Sequence, residues 1–381
     1  MKIKNILRYL PTFIFCGFIL TFMVLYIVLP KADFSPQEKK KLAEFPELNV
    51  QTVMDGKFQK ELDTYMSDHM PMRNFFVGIS ADYELASGRN GEKGIYLGRD
   101  GYLFPKPTKD GELLSQNAGF IKEFGDLSSV PVYMTVIPSS GSINKDKLPM
   151  NHEAYNDKAL IDKFASQLGD KITYIDMTAP FAEKATDRQL YYKTDHHWTS
   201  GGAYECYSLL GEKMGYQPVS EDKFGKETID GFYGTSYAKS ALWWVAPDSI
   251  ELWKNKEQSE GSVSVEIDDG EEEEKKTSDS YFFRDQLKND DKYTVYLDGN
   301  HSLVRIKNKD AKGGKLVIVK DSYAHTIAPF LSQNYSEIIM VDLRYYKKEV
   351  SMLAENEGAQ AILILYSLDN LANDTNISYL F

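Results

Sequence analysis

Asp195, His196, His197 and Trp198 stand in consecutive positions, inside Tyr191-Tyr192-Lys193-Thr194-Asp195-His196-His197-Trp198-Thr199-Ser200-Gly201-Gly202. On an extended segment a carboxylate and an imidazole two positions apart project to the same side. The carboxylate can then fix the tautomer of the ring while the other ring nitrogen faces a nucleophile, which is the orienting half of a Ser-His-Asp triad. The other half is offered by Ser322, in Lys315-Leu316-Val317-Ile318-Val319-Lys320-Asp321-Ser322-Tyr323, an apolar run ending in a polar turn. Serine is a weak nucleophile at its own pKa and needs a positioned base. His197 would take the Ser322 proton and Asp195 would stabilise the imidazolium that forms. The two stretches are therefore expected to make one active site.

Two other histidines bear on that assignment. His325 lies three residues after Ser322, and on a helix such residues share a face, so it is a rival base. His196 completes an Asp-His-His triplet of the kind found in manganese phosphoesterases, where carboxylate and imidazole ligate a metal. The tryptophan, the apolar N-terminus and the later Asp-Ser argue against that reading. No metal and no cofactor are expected, and His196 is expected to pack or hydrogen-bond locally.

The Asp195-His196-His197-Trp198 run resembles the signature of the bacterial DHHW family, which is similar to the alginate O-acetylation proteins AlgJ and AlgX of the SGNH-hydrolase-like superfamily. In that group an Asp-x-His-Trp motif supplies acid and base, and a later Asp-Ser motif after a strand supplies the nucleophile. The resemblance assigns those roles to Asp195, His197 and Ser322, and it extends from about Phe34 to Asn370. The motif order is the reverse of ordinary SGNH esterases, and Lys320 stands where those have glycine. The resemblance implies an extracytoplasmic O-acyltransferase that moves acetyl groups onto a cell-surface or secreted polysaccharide through an acyl-Ser322 intermediate. Its acyl donor would be a multi-pass membrane-bound O-acyltransferase. A carbohydrate esterase with the same triad, and a non-catalytic polysaccharide-binding or assembly subunit using the aromatics around Trp243, are the alternatives.

An ester intermediate needs oxyanion donors. The Ser322 backbone N–H is one candidate. The Asn300 amide is the other, proposed by its chemistry and by a similar Gly-Asn segment in the family. Tyr323, Trp198 and Arg344 are further candidate substrate contacts. Arg344 follows a strand and suits an anionic polymer or a surface ion pair equally.

These residues need a scaffold. Near-continuous Val, Ile and Leu runs at residues 315–319, 337–341 and 361–365 indicate parallel strands covered on both faces. With strands at 132–137 and 172–175 they predict an α/β fold with a doubly wound, mostly parallel five-stranded sheet, SGNH-hydrolase-like by the resemblance. Asp321-Ser322 would then follow a strand's carboxyl end, where such sheets bind ligands. Thr199 or Ser200 can cap a helix over 203–214. Residues 95–104 carry a hairpin signal around Arg99-Asp100-Gly101. Apolar residues at helical spacing run over 53–83 with a break at Pro71, where His69 and Arg73 are expected to fix the turn. Ser139, Ser140 and Ser142 read as a turn, and the aromatic-rich 232–237 as packing or carbohydrate contact. Residues 257–279 carry ten acids against two lysines, a net −8 of the chain's −12, and read as a flexible, solvated insertion. They lack the ligand spacing of a calcium loop.

A net charge of −12 argues against a nucleic-acid partner, which needs a basic face. The two cysteines, Cys16 and Cys206, leave no disulfide expected in the folded part. No charge falls between Arg8 and Lys31, and residues 12–29 are long and apolar enough for a span across a core of about 30 Å. Lys2, Lys4 and Arg8 precede it, so the positive-inside rule leaves the N-terminus cytoplasmic. The expected organisation is an anchor over 1–31, a tether over 32–52 and an extracytoplasmic catalytic domain over 53–381, in the bacterial cell membrane. Protease added to intact cells should remove the ectodomain and leave a small membrane-held fragment. Full protection would refute this orientation.

Overall fold

A strand whose residues are nearly all apolar must be covered on both faces, and the longest apolar runs here meet that requirement in mid-sheet. The computed structural model describes residues 2–91, 93–270 and 275–381. Its main sheet contains β1 (Val132–Ile137), β2 (Ile172–Tyr174), β3 (Val263–Asp268), β4 (Lys276–Ser278), β5 (Leu303–Asn308), β6 (Gly313–Lys320), β7 (Tyr335–Val341) and β8 (Ala361–Ser367). Their order across the sheet is β4-β3-β5-β7-β6-β8-β1-β2. The block β7-β6-β8-β1-β2 is parallel throughout. Alternate residues serve opposite faces: Leu316, Ile318, Ile338, Met340 and Leu363 enter one core, and Val317, Val319, Ile339, Val341 and Ile364 the other.

The expected five-stranded sheet is thus corrected to a mixed sheet of eight. The five expected strands are its parallel part, and β5, β3 and β4 extend it antiparallel. The addition overturns the reading of 257–279 as a solvated loop. Val263, Val265 and Ile267 recur at alternate positions, and all three are buried in the same core as Val304 and Ile306. Ser264, Glu266 and Asp268 alternate with them. Period-two patterning with one polar face is the signature of an antiparallel strand, and the local acidity concealed it. Glu271 to Glu274, at the centre of the expected insertion, lie outside the described residues.

β6 is central, with Leu316 opposite Ile338 of β7 on one side and Ala361 of β8 on the other. The chain leaves β6 for β7 and then recrosses to β8. That reversal is the topological switch at which open α/β sheets bind ligands, beyond the strands' carboxyl ends. Three antiparallel ribbons lie outside the main sheet among the described residues, the shortest of them Phe34–Ser35 with Lys40–Lys41. Ile95–Leu97 pairs with Leu103–Pro105, the expected hairpin, its turn made by Asp100 and Gly101 at positive φ. Phe224–Phe232 pairs with Asp248–Asn255, a ribbon the aromatic-rich middle of the sequence did not announce.

The chain divides into two compact units, Met1–Gly88 with Ala241–Trp243, and Arg89–Ser240 with Trp244–Phe381. The sheet lies wholly in the second. The first opens with the helix Lys2–Val28, of which Arg8–Val28 is long and apolar enough to cross a membrane, with mean hydropathy 2.2. It continues through the helices Lys57–Asp68 and Arg73–Ala86, so residues 53–88 stand with the N-terminal part and not with the sheet. The segment expected as a tether is also folded. The Asp68 carboxylate accepts from Lys40 Nζ at 2.7 Å and from the Ala43 backbone N–H at 3.0 Å. His69 Nε2 lies 2.9 Å from Ala43 O, and Arg73 pairs with Glu38.

If β3 is an integral strand, Ile267→Ala should lower stability by about 2–5 kcal/mol, the usual cost of emptying a buried aliphatic site. Urea unfolding of the full chain measures it. A change near zero would restore the solvated-loop reading.

Candidate active site

Ser322 sits in the turn between β6 and the helix Ala324–Leu331. Asp321, just before it, is buried and staples the turn. Its Oδ1 accepts from the Tyr323 backbone N–H at 2.9 Å. Its Oδ2 accepts from Ser367 N and Oγ and from Asn370 Nδ2, each at 2.8 Å. The carboxylate thereby ties the serine turn to the end of β8. Ser322 itself remains half-buried, and its backbone N–H donates to no protein group among the described residues.

The Asp195–Trp198 motif is a bend and not the extended segment its spacing suggests. Tyr191 and Trp198 form a β-bridge, and Tyr192 N donates to His197 O at 3.1 Å, closing residues 191–198 into a tight loop. A second buried carboxylate shapes that loop from outside. Asp248 accepts from the backbone N–H groups of Lys193 and Thr194 at 3.0 and 2.7 Å, from Thr194 Oγ1 at 2.6 Å and from Gln189 Nε2 at 3.3 Å. Thr199 caps the helix Ser200–Met214 by accepting from Gly202 N at 3.2 Å.

Inside the bend Asp195 Oδ1 accepts from the His197 backbone N–H at 2.9 Å, an Asx-turn, and from His197 Nδ1 at 2.5 Å. An ionised carboxylate can only accept, so in the neutral ring the proton is on Nδ1 and the lone pair on Nε2. His197 Nε2 lies 2.7 Å from Ser322 Oγ. Asp195, His197 and Ser322 are thus brought into one hydrogen-bonded line, across 125 residues of sequence. Burial raises the carboxyl pKa of Asp195, but His196, His197 and the Thr235 backbone N–H outweigh it, and the net result is well below the ordinary carboxylate range.

Three residues that sequence reasoning passed over complete this arrangement. Thr235 gives Asp195 Oδ2 its other two donors, the backbone N–H at 2.7 Å and the hydroxyl at 3.1 Å. Gly234 lets that backbone approach, since a Cβ there would stand 2.2 Å from Asp195 Cβ. Tyr293 stacks on the His197 ring, with centroids 3.9 Å apart and planes 10° from parallel, and donates to Ser322 O at 3.1 Å. Nothing in the local pattern of these residues distinguishes them from ordinary packing positions.

The remaining candidates fall into different places. His325 is buried beneath the serine turn, its Nε2 2.8 Å from Lys320 Nζ, so the atom facing Ser322 Oγ belongs to His197. Burial first, then the Lys320 charge, holds His325 well below the ordinary histidine range and hence neutral. Lys320, which stands where ordinary SGNH esterases have glycine, is buried and pairs with Asp342 at 2.9 Å. Asp342 also holds Arg344 Nη2 at 2.6 Å, and Arg344 in turn donates to Asn300 Oδ1 at 3.0 Å. Trp198 is fully buried and cannot meet a substrate. Its Nε1 donates to Tyr323 O at 3.1 Å, and the Tyr323 hydroxyl donates to His196 O, so the pair braces the two motifs together.

A cleft of about 180 Å³ opens beside this line, bordered by Ser139, Ser140, His196, Thr235, Lys239 and Tyr323. Asn300, Arg344 and Trp198 are not among its lining residues. Neither this cleft nor a larger hollow of about 440 Å³, bordered by Arg188, Lys193, Asp248 and Trp253, is lined by Asp195, His197 or Ser322 themselves. Asp195, His196 and His197 also offer ligand atoms within 4.8 Å of one another, a chemically competent cation set. Both ring nitrogens of His197 are already engaged, by Asp195 and by Ser322.

A serine, a histidine and an aspartate are thus aligned at the carboxyl end of the sheet's parallel block. The family model described as DHHW protein matches residues 127–341, more than half of the chain. The chain belongs to the DHHW family. A DHHW family protein from Eubacterium siraeum superposes with a TM-score of 0.63 at 23% identity, over 76% of this chain and 95% of that one. Bacillus cereus PatB1, in a structure with a sulfonyl adduct, gives 0.61 at 20% identity, over 74% and 96%. Both likenesses establish the fold. The probable alginate O-acetylase AlgJ of Pseudomonas putida is 24% identical over 187 residues, which is 47% of this chain. The chain spans about half, 49%, of the length of that relative.

Gly234→Ala tests whether the Thr235 approach holds Asp195. A methyl group 2.4 Å from Asp195 Oδ2 must displace the carboxylate. Loss of the tautomer-fixing acid costs on the order of 10⁴ in rate. If the Asp195–His197–Ser322 line is catalytic, turnover of an activated acetyl ester should fall toward that limit, with a lower melting temperature. A variant with unchanged rate and melting would show that Asp195 is placed by other means.

Proposed function

We propose that this chain is a membrane-anchored, extracytoplasmic O-acyltransferase that moves acetyl groups onto a cell-surface or secreted polysaccharide. The observation that carries this reading is the Asp195–His197–Ser322 line, with contacts of 2.5 and 2.7 Å. Ser322 Oγ attacks the acyl carbonyl of the donor as its proton passes to His197 Nε2. Asp195, ionised and buried, stabilises the imidazolium. The tetrahedral intermediate collapses, His197 returns the proton to the departing group, and acetyl-Ser322 remains. A sugar hydroxyl then gives its proton to His197 and attacks the ester, and His197 passes that proton to the departing Ser322 Oγ, which frees the serine and acetylates the acceptor.

Oxyanion donors are assigned to the Ser322 backbone N–H and to the Asn300 amide. Arg344, by holding Asn300 Oδ1 at 3.0 Å, would orient that amide. The cleft beside His196, Thr235 and Lys239 is assigned to the acceptor sugar. Acetyl as the group and polysaccharide as the acceptor are supported by membership of the DHHW family and by the relatives named as alginate O-acetylases. The helix Arg8–Val28 supports an anchor. An anchor would confine the site beside a multi-pass membrane-bound O-acyltransferase serving as acyl donor, raising the effective concentration of each for the other.

The test uses the purified full chain with an activated acetyl ester and a polysaccharide acceptor. Residues of a triad act as a unit. Ser322→Ala, His197→Ala and the double variant should each fall by about 10⁴–10⁶, to a common floor and not to a product of losses. Asp195→Asn should also lose activity, on the order of 10⁴. Mass spectrometry should find acetyl on Ser322 when acceptor is withheld. Acetate release without transfer would make the protein an esterase with the same site. Full activity in Ser322→Ala would end the serine mechanism and leave a polysaccharide-binding or assembly subunit.

A further inference from the structure

The helix Arg73–Ala86 carries a stripe of large apolar residues that are left about half exposed or more. Phe75, Ile79 and Tyr83 stand at i, i+4 and i+8, one face of a helix, and are 53%, 49% and 69% exposed. Such a stripe belongs in water on no ordinary surface. Its neighbour on the helix, Phe76, packs against Phe22 of the N-terminal helix with ring centroids 5.6 Å apart. Ile79 and Tyr83 follow Phe76 by three and seven residues, so the stripe continues the face that meets the anchor.

The anchor also supplies a depth scale. Lys31 Nζ lies 3.5 Å over the ring of Tyr26 and donates to Tyr26 O at 2.6 Å. An aromatic ring and a lysine closing an apolar span mark the head-group level. Phe22 is one helical turn further in, about 6 Å at 1.5 Å per residue. Phe76 is held at that same level, within the roughly 5–10 Å at which interfacial amphipathic helices bury their apolar faces.

We propose that Arg73–Ala86 is an interfacial helix that lays Phe75, Ile79 and Tyr83 into the lipid at the head-group boundary and holds the first unit against the bilayer. The lipid surface is the occupant because the stripe is continuous with a residue packed on the span itself. This inference goes beyond the proposed activity, but it rests on the reading of Arg8–Val28 as a bilayer span.

Nitroxide labels on the full chain in lipid nanodiscs test both in one measurement. The native Cys16 reports the span. Ile79→Cys and Tyr83→Cys, each in a Cys16→Ser background with the buried Cys206 left in place, report the stripe. Collision with oxygen should exceed collision with a water-soluble nickel complex at Cys16 and at position 79, with position 79 at a depth of about 5–10 Å. Position 83 should lie at or near the head groups. Nickel accessibility at Cys16 would overturn the anchor itself. Oxygen-rich Cys16 with nickel-accessible positions 79 and 83 would overturn the interfacial helix alone. Positions 79 and 83 shielded from both reagents would mean a protein partner covers the stripe, and the lipid assignment fails.

Discussion

Three buried carboxylates hold the site together, and each is satisfied by four hydrogen bonds. Asp195 fixes the histidine, Asp248 fixes the loop that carries it, and Asp321 fixes the serine turn. A buried carboxylate that lost a donor would cost more than the bond it made. Each therefore dictates the conformation of the backbone around it. The loops of this site are irregular, yet their shape is set as firmly as that of a strand. Loop residues that carry chemistry on a rigid scaffold are usually held by such local accounting of donors and acceptors.

The scaffold contributes direction. β6 aims its carboxyl end at the point where the chain reverses across the sheet, and Ser322 emerges there. Under it, Lys320, Asp342 and Arg344 form a charged row, with Lys320 and Asp342 withdrawn from solvent. Burial lowers the Lys320 pKa, and it raises that of Asp342 until Arg344 and Lys320 bring the carboxyl back below its ordinary value. The lysine thus answers to the carboxylate on β7's far end and leaves the serine to His197. A lysine two positions before a serine held by a histidine invites a catalytic reading, and its burial and its ion pair with Asp342 remove it.

How much of this could be seen in the sequence depended on how local the cause was. The five parallel strands were legible because unbroken runs such as Leu316 to Val319 have one physical explanation. The helix start at Ser200 was legible because Thr199 caps it with its own side chain. The strand β3 was missed because its alternating Val263, Val265 and Ile267 are diluted by acids that raise local charge without changing the period. Pattern outweighs composition in such a case. Thr235, Gly234 and Tyr293 were illegible for another reason. Their importance is a matter of contact with Asp195 and His197 from 39 and more residues away, and nothing in their own neighbourhood records it. The bend at Asp195 was misjudged as extended because the Asx-turn that forms it is visible only once the carboxylate's partners are known.

The two outermost strands of the sheet, β4 and β2, have three residues each. A long bare edge offers unpaired N–H and C=O groups to any other extended chain. Here the edge at β4 is brief, and charge surrounds it: Lys275 pairs with Glu266 and Asp268, and Lys276 with Asp298. An eight-stranded sheet that ends this way cannot readily recruit a ninth strand from a neighbouring molecule. That resistance to polymerisation matters as much as the stability of the core.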